Sequence, residues 1–277
     1  MNSRGKTQPN EKMKRFENRV ALITGAGRGM GREHALGFAR EGASIVANDI
    51  CERDPSVPYD LSMTKQLEST VEEVKKRDVK CIGVCADVSN AKQVQRMVGE
   101  ALDAFGRIDI LVNNAGIIGG FSNVVNVSEE LWDRVMAVNL KGTFLVTKYT
   151  LPSMIEHRFG RIVNISSVGG LVGLPGSSFY VAAKHGVIGF TKTLAHEVGE
   201  YDITVNAVCP GLVNTRMSNF LNDQPSERAT SPPLGVFPHR QMIEPSEVSG
   251  LVLWLCSDEA KDVTGASFAM DQGFTSG

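Results

Sequence analysis

The feature that most constrains the fold is a regular alternation between short β-branched runs and longer stretches with helical spacing. Seven apolar runs lie at 20–24, 44–48, 80–86, 110–113, 161–166, 204–208 and 267–270. Helical spacing appears between most of them, as at 33–40, 67–77, 91–105 and 129–140. Such alternation predicts a parallel sheet with helices on both faces, and right-handed crossovers make it doubly wound. We therefore expect residues 1–277 to form one α/β domain around a seven-stranded, mostly parallel sheet.

The first predicted strand runs into a glycine-rich turn, TGAGRGMG at residues 24–31, and a helix follows it. Glycines allow a tight turn and a close approach of the backbone to a ligand. The helix N-terminus then offers free N–H groups to a pyrophosphate. The spacing of Gly25, Gly29 and Gly31 is GxxxGxG, which differs from the commonest GxGxxG fingerprint. The position between a strand and a helix nevertheless predicts a Rossmann-type dinucleotide site.

Two charged residues point to different dinucleotides. Asp49 ends the second strand, where an acidic side chain accepts hydrogen bonds from the adenosine ribose and repels the 2′-phosphate of NADP. Arg28, in the glycine turn, favours that phosphate. We expect NAD. Glu33 and His34 of the following helix are interpreted as surface residues.

Tyr180 and Lys184 lie in a stretch of good helix formers. Their i, i+4 spacing places both side chains on one helical face, about 6 Å apart along the axis. A phenol with an ordinary pKa near 10 needs a neighbouring positive charge to act as a base at neutral pH, and an ammonium supplies it. The pair is therefore a candidate acid–base centre for hydride chemistry at a nicotinamide.

Other polar residues follow the strands that precede this helix. Ser167 comes at the end of the fifth strand, where open α/β sheets build their sites, and Ser166 is its rival as the hydroxyl that holds a substrate oxygen. Asn113 to Gly116 close the fourth strand with small residues that allow backbone contact with a cofactor. Asn139 ends an apolar helical stretch, where a buried amide needs partners.

Together these motifs resemble the short-chain dehydrogenase/reductase family over nearly the whole chain. The glycine turn, Asn113–Gly116, Asn139, Ser167, Tyr180, Lys184 and Pro210-Gly211 follow the family's order and spacing. The resemblance implies that Tyr180 is the general acid/base and that Lys184 binds the nicotinamide ribose while tuning Tyr180. It implies that Ser167 orients the substrate and that Asn139 holds a water that relays protons to Lys184.

The resemblance also implies a set of cofactor contacts, with Asp87 and Val88 at the adenine and the residues after 210 at the nicotinamide. The full set is Gly25, Arg28, Gly29, Met30, Gly31, Asp49, Ile50, Asp87, Val88, Asn114, Ala115, Gly116, Tyr180, Lys184, Pro210, Gly211, Val213 and Thr215.

Two long irregular stretches interrupt the alternation. Residues 50–62 carry two prolines, and residues 215–245 carry five. Long irregular segments inside a domain are usually functional, so we interpret 50–62 as an insertion near the cofactor and 215–245 as a substrate lid. A disordered surface insertion is the alternative for each. Residues 1–18 are polar, and we interpret them as a flexible lead-in.

The insertion resembles a narrower branch, the mycofactocin-coupled dehydrogenases, which includes carveol dehydrogenases. The shared features are the insertion after Asp49, with Cys51, Pro55, Pro58 and Tyr59, and the turn around Met30. Members of this branch are thought to hold NAD almost irreversibly, with the insertion over the adenosine and a peptide-derived redox partner accepting the electrons. The resemblance therefore implies a tightly held NAD and a mycofactocin-type partner.

The predicted lid is apolar, with Met217, Phe220, Leu221, Leu234, Val236, Phe237 and Met242. This composition indicates an apolar substrate such as a cyclic or terpenoid secondary alcohol, or else an oligomer interface. The charged lid residues Glu227, Arg228, His239 and Arg240 are interpreted as solvated. Trp254, Phe268 and Phe274 indicate a C-terminal subunit contact, as in this family's homotetramers.

Composition excludes several other classes. A net charge of −2 gives no electrostatic reason for a nucleic-acid or membrane partner, and no apolar run approaches the roughly 20 residues of a membrane span. The N-terminus lacks the apolar core of a secretory signal. Five cysteines without CxxC spacing argue against a disulfide framework and a zinc site, so we expect buried, reduced thiols, no metal and a cytoplasmic location.

Three functional hypotheses remain open. The first is an NAD-linked secondary-alcohol dehydrogenase. The second, motivated by Arg28, is an NADP-linked reductase of ketones or 3-oxoacyl thioesters. The third is a non-enzymatic dinucleotide sensor on the same fold, against which the intact serine, tyrosine and lysine set argues.

Overall fold

The computed structural model describes residues 14–222 and 242–276, and its strands follow the predicted apolar runs. They are β1 (Val20–Thr24), β2 (Ser44–Asp49), β3 (Cys81–Cys85), β4 (Ile110–Asn113), β5 (Gly160–Ile165), β6 (Ile203–Pro210) and β7 (Ser267–Met270). Every neighbouring pair is parallel, in the order β3-β2-β1-β4-β5-β6-β7. The predicted seven-stranded, doubly wound sheet is confirmed.

Helices cover both faces of this sheet. They are α1 (Gly29–Arg40), α2 (Thr64–Lys75), α3 (Ala91–Phe105), α4 (Glu129–Met136), α5 (Gly142–Glu156), α6 (Ser178–Val198), α7 (Arg216–Asn222) and α8 (Pro245–Cys256). Buried apolar residues of α1, α2 and α8 form the core on one face, and those of α3, α5 and α6 form it on the other. Because both faces are covered, most strand residues are apolar, and polar residues such as Asn113, Asn164 and Asn206 are buried among them.

The order of the strands places a crevice beside β1. The chain adds β2 and β3 on one side of β1 and then crosses over to build β4 to β7 on the other side. Ligands of open α/β sheets bind outside the carboxyl ends of the strands at such a reversal. The glycine turn leaves the carboxyl end of β1, so this turn lies at the mouth of the crevice.

Both irregular segments are fastened where they begin and end. Cys51 and Met63 form an isolated parallel bridge, so residues 52–62 return to their starting point. Val213 and Ile243 form a second bridge, and the Asn214 amide donates to the Ile243 carbonyl at 2.9 Å. Most of the predicted lid, including Leu234, Val236, Phe237 and its charged residues, lies outside the described residues.

Two interpretations of the N-terminal region differ from the structure at single described residues, and residues 1–13 of the predicted lead-in lie outside the described residues. Phe16, placed in the flexible lead-in, is buried, and its ring lies 5.0 Å from that of Phe38. His34, placed on the helix surface, is fully buried, because α8 packs across α1 and the Ser249 hydroxyl donates to the Glu33 carbonyl at 3.2 Å. Neither ring nitrogen of His34 has a partner in the described chain, and burial lowers the pKa of His34 to about 3. Glu33 is half-buried and lies 3.7 Å from Arg32.

The expectation of five reduced cysteines is also wrong. Cys51 and Cys85 form a disulfide, with their Cα atoms 5.5 Å apart. The two residues are brought together because β2 and β3 pair in parallel and Asp49 lies opposite Cys85 at the ends of these strands. Cys81, Cys209 and Cys256 are free and buried. Within residues 14–222 and 242–276, no helix is long and apolar enough to span a bilayer.

Candidate active site

The glycine turn is held against the end of β4. Gly25 and Gly29 have φ values of 66° and 54°, which favour glycine. A Cβ atom on Gly31 would lie 2.1 Å from the Gly25 carbonyl oxygen, so Gly31 allows the turn to close on α1. The Asn114 side chain donates to the Thr24 carbonyl at 2.9 Å. Tight closure leaves the N-terminus of α1 facing the crevice.

Asp49 lies at the opposite wall of this crevice. Its carboxylate accepts hydrogen bonds from the backbone N–H groups of Gly27 and Ile50, each at 2.8 Å. Burial raises the pKa of Asp49, while those two hydrogen bonds and the nearby charge of Arg28 act in the opposite direction. A carboxylate has about four acceptor positions, so Asp49 retains acceptors for ligand hydroxyls.

Most of the predicted cofactor contacts line one continuous cleft. They are Gly25, Arg28, Gly29, Met30, Asp49, Ile50, Asp87, Val88, Asn114, Ala115, Gly116 and Thr215. The cleft therefore joins the glycine turn, the end of β2, the loop after β3 and the end of β4. We call its β2–β3 side the adenosine end and the side near Gly116 the nicotinamide end.

The predicted acid–base pair lies on α6 beside the nicotinamide end. The Lys184 ammonium lies 5.6 Å from the centre of the Tyr180 ring, so the helical spacing brings the two groups together. Lys184 is buried and donates to the Ile165 carbonyl at 2.8 Å. Burial lowers the pKa of Lys184 to about 8 and raises that of Tyr180, and a hydrogen bond with Ser167 counters the rise at Tyr180.

The two serines after β5 face different partners. The Ser166 hydroxyl donates to the Lys184 carbonyl at 3.0 Å, which ties β5 to α6. The Ser167 side chain accepts from the Gly169 amide at 3.1 Å and faces Tyr180. Ser167 is therefore the hydroxyl that the fold places beside the phenol.

Asn139 lies in a π-helical segment, Ala137–Lys141, between α4 and α5. Its amide exchanges two hydrogen bonds with the Ile117 backbone, at 2.8 and 2.9 Å. A Cβ atom on Gly116 would lie 3.3 Å from the Asn139 amide oxygen and 3.5 Å from the Lys184 ammonium nitrogen. Asn139 and Lys184 thus flank Gly116 closely.

The remaining predicted contacts lie at the edges of the cleft. Pro210 ends β6, the Gly211 amide donates to the Met270 carbonyl at 3.0 Å, and Val213 is buried in the bridge to Ile243. Thr215 approaches the turn, since a Cβ atom on Gly29 would lie 3.5 Å from its methyl group. Gly31, Tyr180, Lys184, Pro210, Gly211 and Val213 do not line the continuous cleft.

Several cleft residues stand outside the predicted set of cofactor contacts. They are Tyr59, Leu61, Ser62, Ile117, Arg134, Val138, Arg216 and Met217. The composition of the insertion gives a weak signal for the first three, because an aromatic residue and a serine stand among its prolines. Arg134 gives no local signal, because it stands in an ordinary amphipathic helix. In the described parts of the chain, no cluster of three or more His, Cys, Asp or Glu residues could hold a metal.

Comparison with known proteins agrees with this geometry. A family model described as enoyl-(acyl carrier protein) reductase matches residues 25–275. A 3-oxoacyl-(acyl-carrier-protein) reductase from Thermotoga maritima is 42% identical, with 94% of this chain and 98% of the relative covered.

Two solved structures are also similar. A carveol dehydrogenase from Mycobacterium avium in complex with NAD has a TM-score of 0.87 at 34% identity, covering 95% of this chain and 100% of that one. A short-chain dehydrogenase from Mycobacterium paratuberculosis bound to NAD has a TM-score of 0.90 at 36% identity, with the same coverage. The family model, the relatives and the shared sheet together establish that this chain belongs to the short-chain dehydrogenase/reductase family of oxidoreductases and resembles its carveol dehydrogenase branch.

Proposed function

We propose that the protein is an NAD-dependent dehydrogenase that interconverts an apolar secondary alcohol and its ketone. The observation that carries the proposal is the placement of Tyr180, Lys184 and Ser167 beside a cleft whose far wall presents Asp49. This arrangement supplies a proton acceptor at one end and an acceptor for ribose hydroxyls at the other.

Tyr180 is the proposed proton acceptor for the alcohol. The Ser167 hydroxyl holds the substrate oxygen against the phenol, and the Lys184 ammonium stabilises the phenolate electrostatically. When bound, the nicotinamide supplies the hydride acceptor and a second positive charge. Lys184 uses one N–H bond on the Ile165 carbonyl, which leaves two donors for the nicotinamide ribose. Asn139, fixed by Ile117 and close to Lys184, is proposed to hold the water that relays the proton.

The contacts of Arg28 support NAD rather than NADP. Its guanidinium donates to the Asp60 carbonyl in the insertion, so one donor of the cation that motivated the NADP hypothesis is already used within the protein. Burial lowers the pKa of Arg28, and Asp49 and Tyr59 act to raise it. A 2′-phosphate placed near Asp49 would meet a carboxylate that is largely buried, and repulsion there disfavours NADP.

The described part of the lid supports an apolar substrate. Phe220, on α7, lies against Gly120, and its ring centre is 5.2 Å from that of Tyr59. Met217 lines the cleft nearby. These side chains supply an apolar wall next to the loop after β4, which suits a cyclic or terpenoid alcohol such as carveol.

A second candidate is reduction of a ketone or a 3-oxoacyl thioester with NADPH. The 42% identity to a 3-oxoacyl-(acyl-carrier-protein) reductase over 94% of the chain favours it. The acid–base residues would be the same, with Tyr180 donating the proton instead of accepting it. The two candidates differ in cofactor and in substrate size.

Two partner assignments complete the proposal. We propose a mycofactocin-type redox partner that reoxidises a tightly held NAD, on the resemblance of the insertion and of the carveol dehydrogenase structure. We also propose a homotetramer, since Trp254 on α8 is 37% exposed and packs edge-on against Phe268 of β7. Aromatic residues are enriched in subunit interfaces, so this partly exposed pair at the edge strand supports a subunit contact.

Native mass spectrometry of the purified protein, followed by turnover assays, tests this function. We expect a tetramer mass with bound NAD, and oxidation of apolar secondary alcohols supported by NAD. A preference above about tenfold for NADPH, together with 3-oxoacyl thioester reduction, would establish the second candidate. Dinucleotide binding without oxidation or reduction of any alcohol or ketone would support a sensor.

A further inference from the structure

A cationic bridge spans the mouth of the adenosine end. Arg134, on α4, lines the cleft and keeps 20% of its side chain exposed. Its Nε donates to Asp54 at 2.5 Å, its Nη1 to Ser89 at 2.7 Å and its Nη2 to Asp87 at 3.0 Å. One guanidinium therefore contacts both the insertion and the loop after β3.

Both carboxylates are also held by hydrogen bonds from neighbouring serines. The Ser56 amide and hydroxyl donate to one oxygen of Asp54, at 3.0 and 2.5 Å, and the other oxygen faces Arg134. The Ser89 amide and hydroxyl both donate to one oxygen of Asp87 at 2.8 Å, and again the other oxygen faces Arg134. This repeated arrangement leaves one oxygen of each carboxylate directed at the same cation.

The Asp54 and Asp87 carboxylates at the mouth of the adenosine end have Arg134 as their shared cationic partner. The Asp54 and Asp87 side chains are only 10% and 16% exposed, so solvent screens them weakly. Burial works to raise the pKa of Asp54, but hydrogen bonds from Ser56 and Arg134 hold it below its usual value. Without the guanidinium, the Asp54 and Asp87 carboxyl groups would lose the cation that joins them, and the contact between the insertion and the loop after β3 would be lost.

We propose that Arg134 is a positioning residue that holds the insertion closed over the adenosine end and sets the rate at which the dinucleotide leaves. The proposal rests on the proposed function in requiring a bound dinucleotide, and it adds a specific residue and a specific step. Arg134 acts through Asp54 and Asp87 and has no role in the transfer of hydride or proton. Its effect is therefore on release.

The test compares dissociation with chemistry. Bound NADH is displaced by excess NAD in a stopped-flow fluorimeter, and hydride transfer is measured separately in a single turnover with the alcohol. We expect Arg134→Met to raise the dissociation rate constant by about tenfold or more, with a much smaller change in the single-turnover rate. Arg134→Lys restores the charge but only one direct contact, so its dissociation rate should lie between those of Arg134→Met and the wild type.

Matched variants make the result specific. Arg15→Met removes another arginine–carboxylate pair, with Glu41, far from the cleft, and should leave dissociation unchanged. Asp54→Asn removes one arm of the bridge, so it should raise the rate by a smaller factor. Combining it with Arg134→Met should add little, because both changes break the same contact. If Arg134→Met fails to fold, Asp54→Asn alone provides the test.

The possible outcomes separate this proposal from the proposed function. Unchanged dissociation in folded Arg134→Met, or full additivity with Asp54→Asn, would overturn the role of Arg134. A preference for NADPH would contradict the proposed cofactor. Faster NADPH release from Arg134→Met would still support the role of Arg134 in holding the insertion closed. A wild-type protein that binds neither dinucleotide would overturn both.

Discussion

The two ends of the cleft are built in different ways. At the nicotinamide end, Ser167, Tyr180 and Lys184 come from the end of β5 and from one face of α6, and their positions follow from strand order and helical spacing. At the adenosine end, the insertion is held by a disulfide between residues 34 apart and by an ion pair between residues 80 apart. The proposed acid–base residues are therefore placed by the fold, whereas the position of the insertion depends on individual long-range contacts.

Replacing Tyr180 by Phe is expected to have the largest effect and to act at the nicotinamide end alone. Loss of the proton acceptor should reduce turnover by about 10²–10⁴-fold, while NAD binding stays nearly unchanged. Steady-state oxidation of a secondary alcohol and a direct binding titration measure the two quantities. Tyr201→Phe, in a surface turn, is the matched control. Wild-type-like activity in Tyr180→Phe would rule out Tyr180 as the proton acceptor.

Removal of the disulfide tests the fastening of the adenosine end. Cys85→Ser should lower the free energy of unfolding by about 3–4 kcal/mol, because the bond closes a loop of 34 residues in the unfolded chain. Urea denaturation without reductant measures this loss. With a reductant present, wild type and variant should become nearly equal. Titration of the unfolded wild type should find three thiols, and a count of five would contradict the disulfide.

His34, buried between α1 and α8, makes the folded protein sensitive to acid. Its folded-state pKa of about 3 lies below the usual 6.5, so the unfolded chain takes up a proton that the folded chain does not. Stability contributed by the neutral imidazole is therefore lost as the pH falls below about 6.5, by up to about 1.4 kcal/mol per pH unit. Urea denaturation at pH 7, 6 and 5 measures the slope.

Substitution separates His34 from the other titrating groups. His34→Leu should flatten the slope between pH 6.5 and 5, whereas His185→Gln, at an exposed position on α6, should leave it unchanged. An equal slope in His34→Leu and wild type would show that other groups cause the acid sensitivity.

Replacing Tyr59 by Phe is expected to have the smallest effect. This residue connects the insertion at the adenosine end with the wall near the nicotinamide end. It belongs to the insertion, yet its hydroxyl accepts from the Ile118 amide at 3.2 Å and its ring faces Phe220. Tyr59→Phe keeps the ring and loses about 1 kcal/mol of hydrogen bonding, so the KM for the alcohol should rise about fivefold with little change in kcat. Tyr149→Phe, on α5, serves as the control. An unchanged KM would show that the insertion contributes to the adenosine end only and has no part in binding the alcohol.

The sequence predicts much of the fold because the relevant signals are local. Periodicity places all seven strands to within two residues. The glycine turn lines the cleft, and the Tyr180–Lys184 spacing defines a pair that the structure places beside the nicotinamide end of that cleft. These patterns reflect backbone geometry within one or two elements. Such geometry can be predicted from the pattern of consecutive residues.

The remaining features depend on partners that are distant in the sequence. His34 is a titratable residue type that favours an exposed position, but α8 covers it, and Ser249 of α8 lies 216 residues away from the Glu33 carbonyl that it contacts. Cys51 and Cys85 form a pair only once β2 and β3 are aligned. Arg134 resembles any helix-surface arginine until the insertion folds back toward α4. Each outcome is decided by tertiary packing, which periodicity does not encode.

The bridge between Cys51 and Met63 has a consequence for protein engineering. Because the insertion leaves and rejoins the framework at neighbouring points, residues 52–62 form a closed loop that adds no displacement between β2 and α2. The loop is therefore a transplantable unit. Grafted with Cys51 between the corresponding strand and helix of a relative that exchanges its cofactor freely, together with a cysteine, an arginine and an aspartate at the positions of Cys85, Arg134 and Asp87, it should convert a dissociable dinucleotide into a resident one.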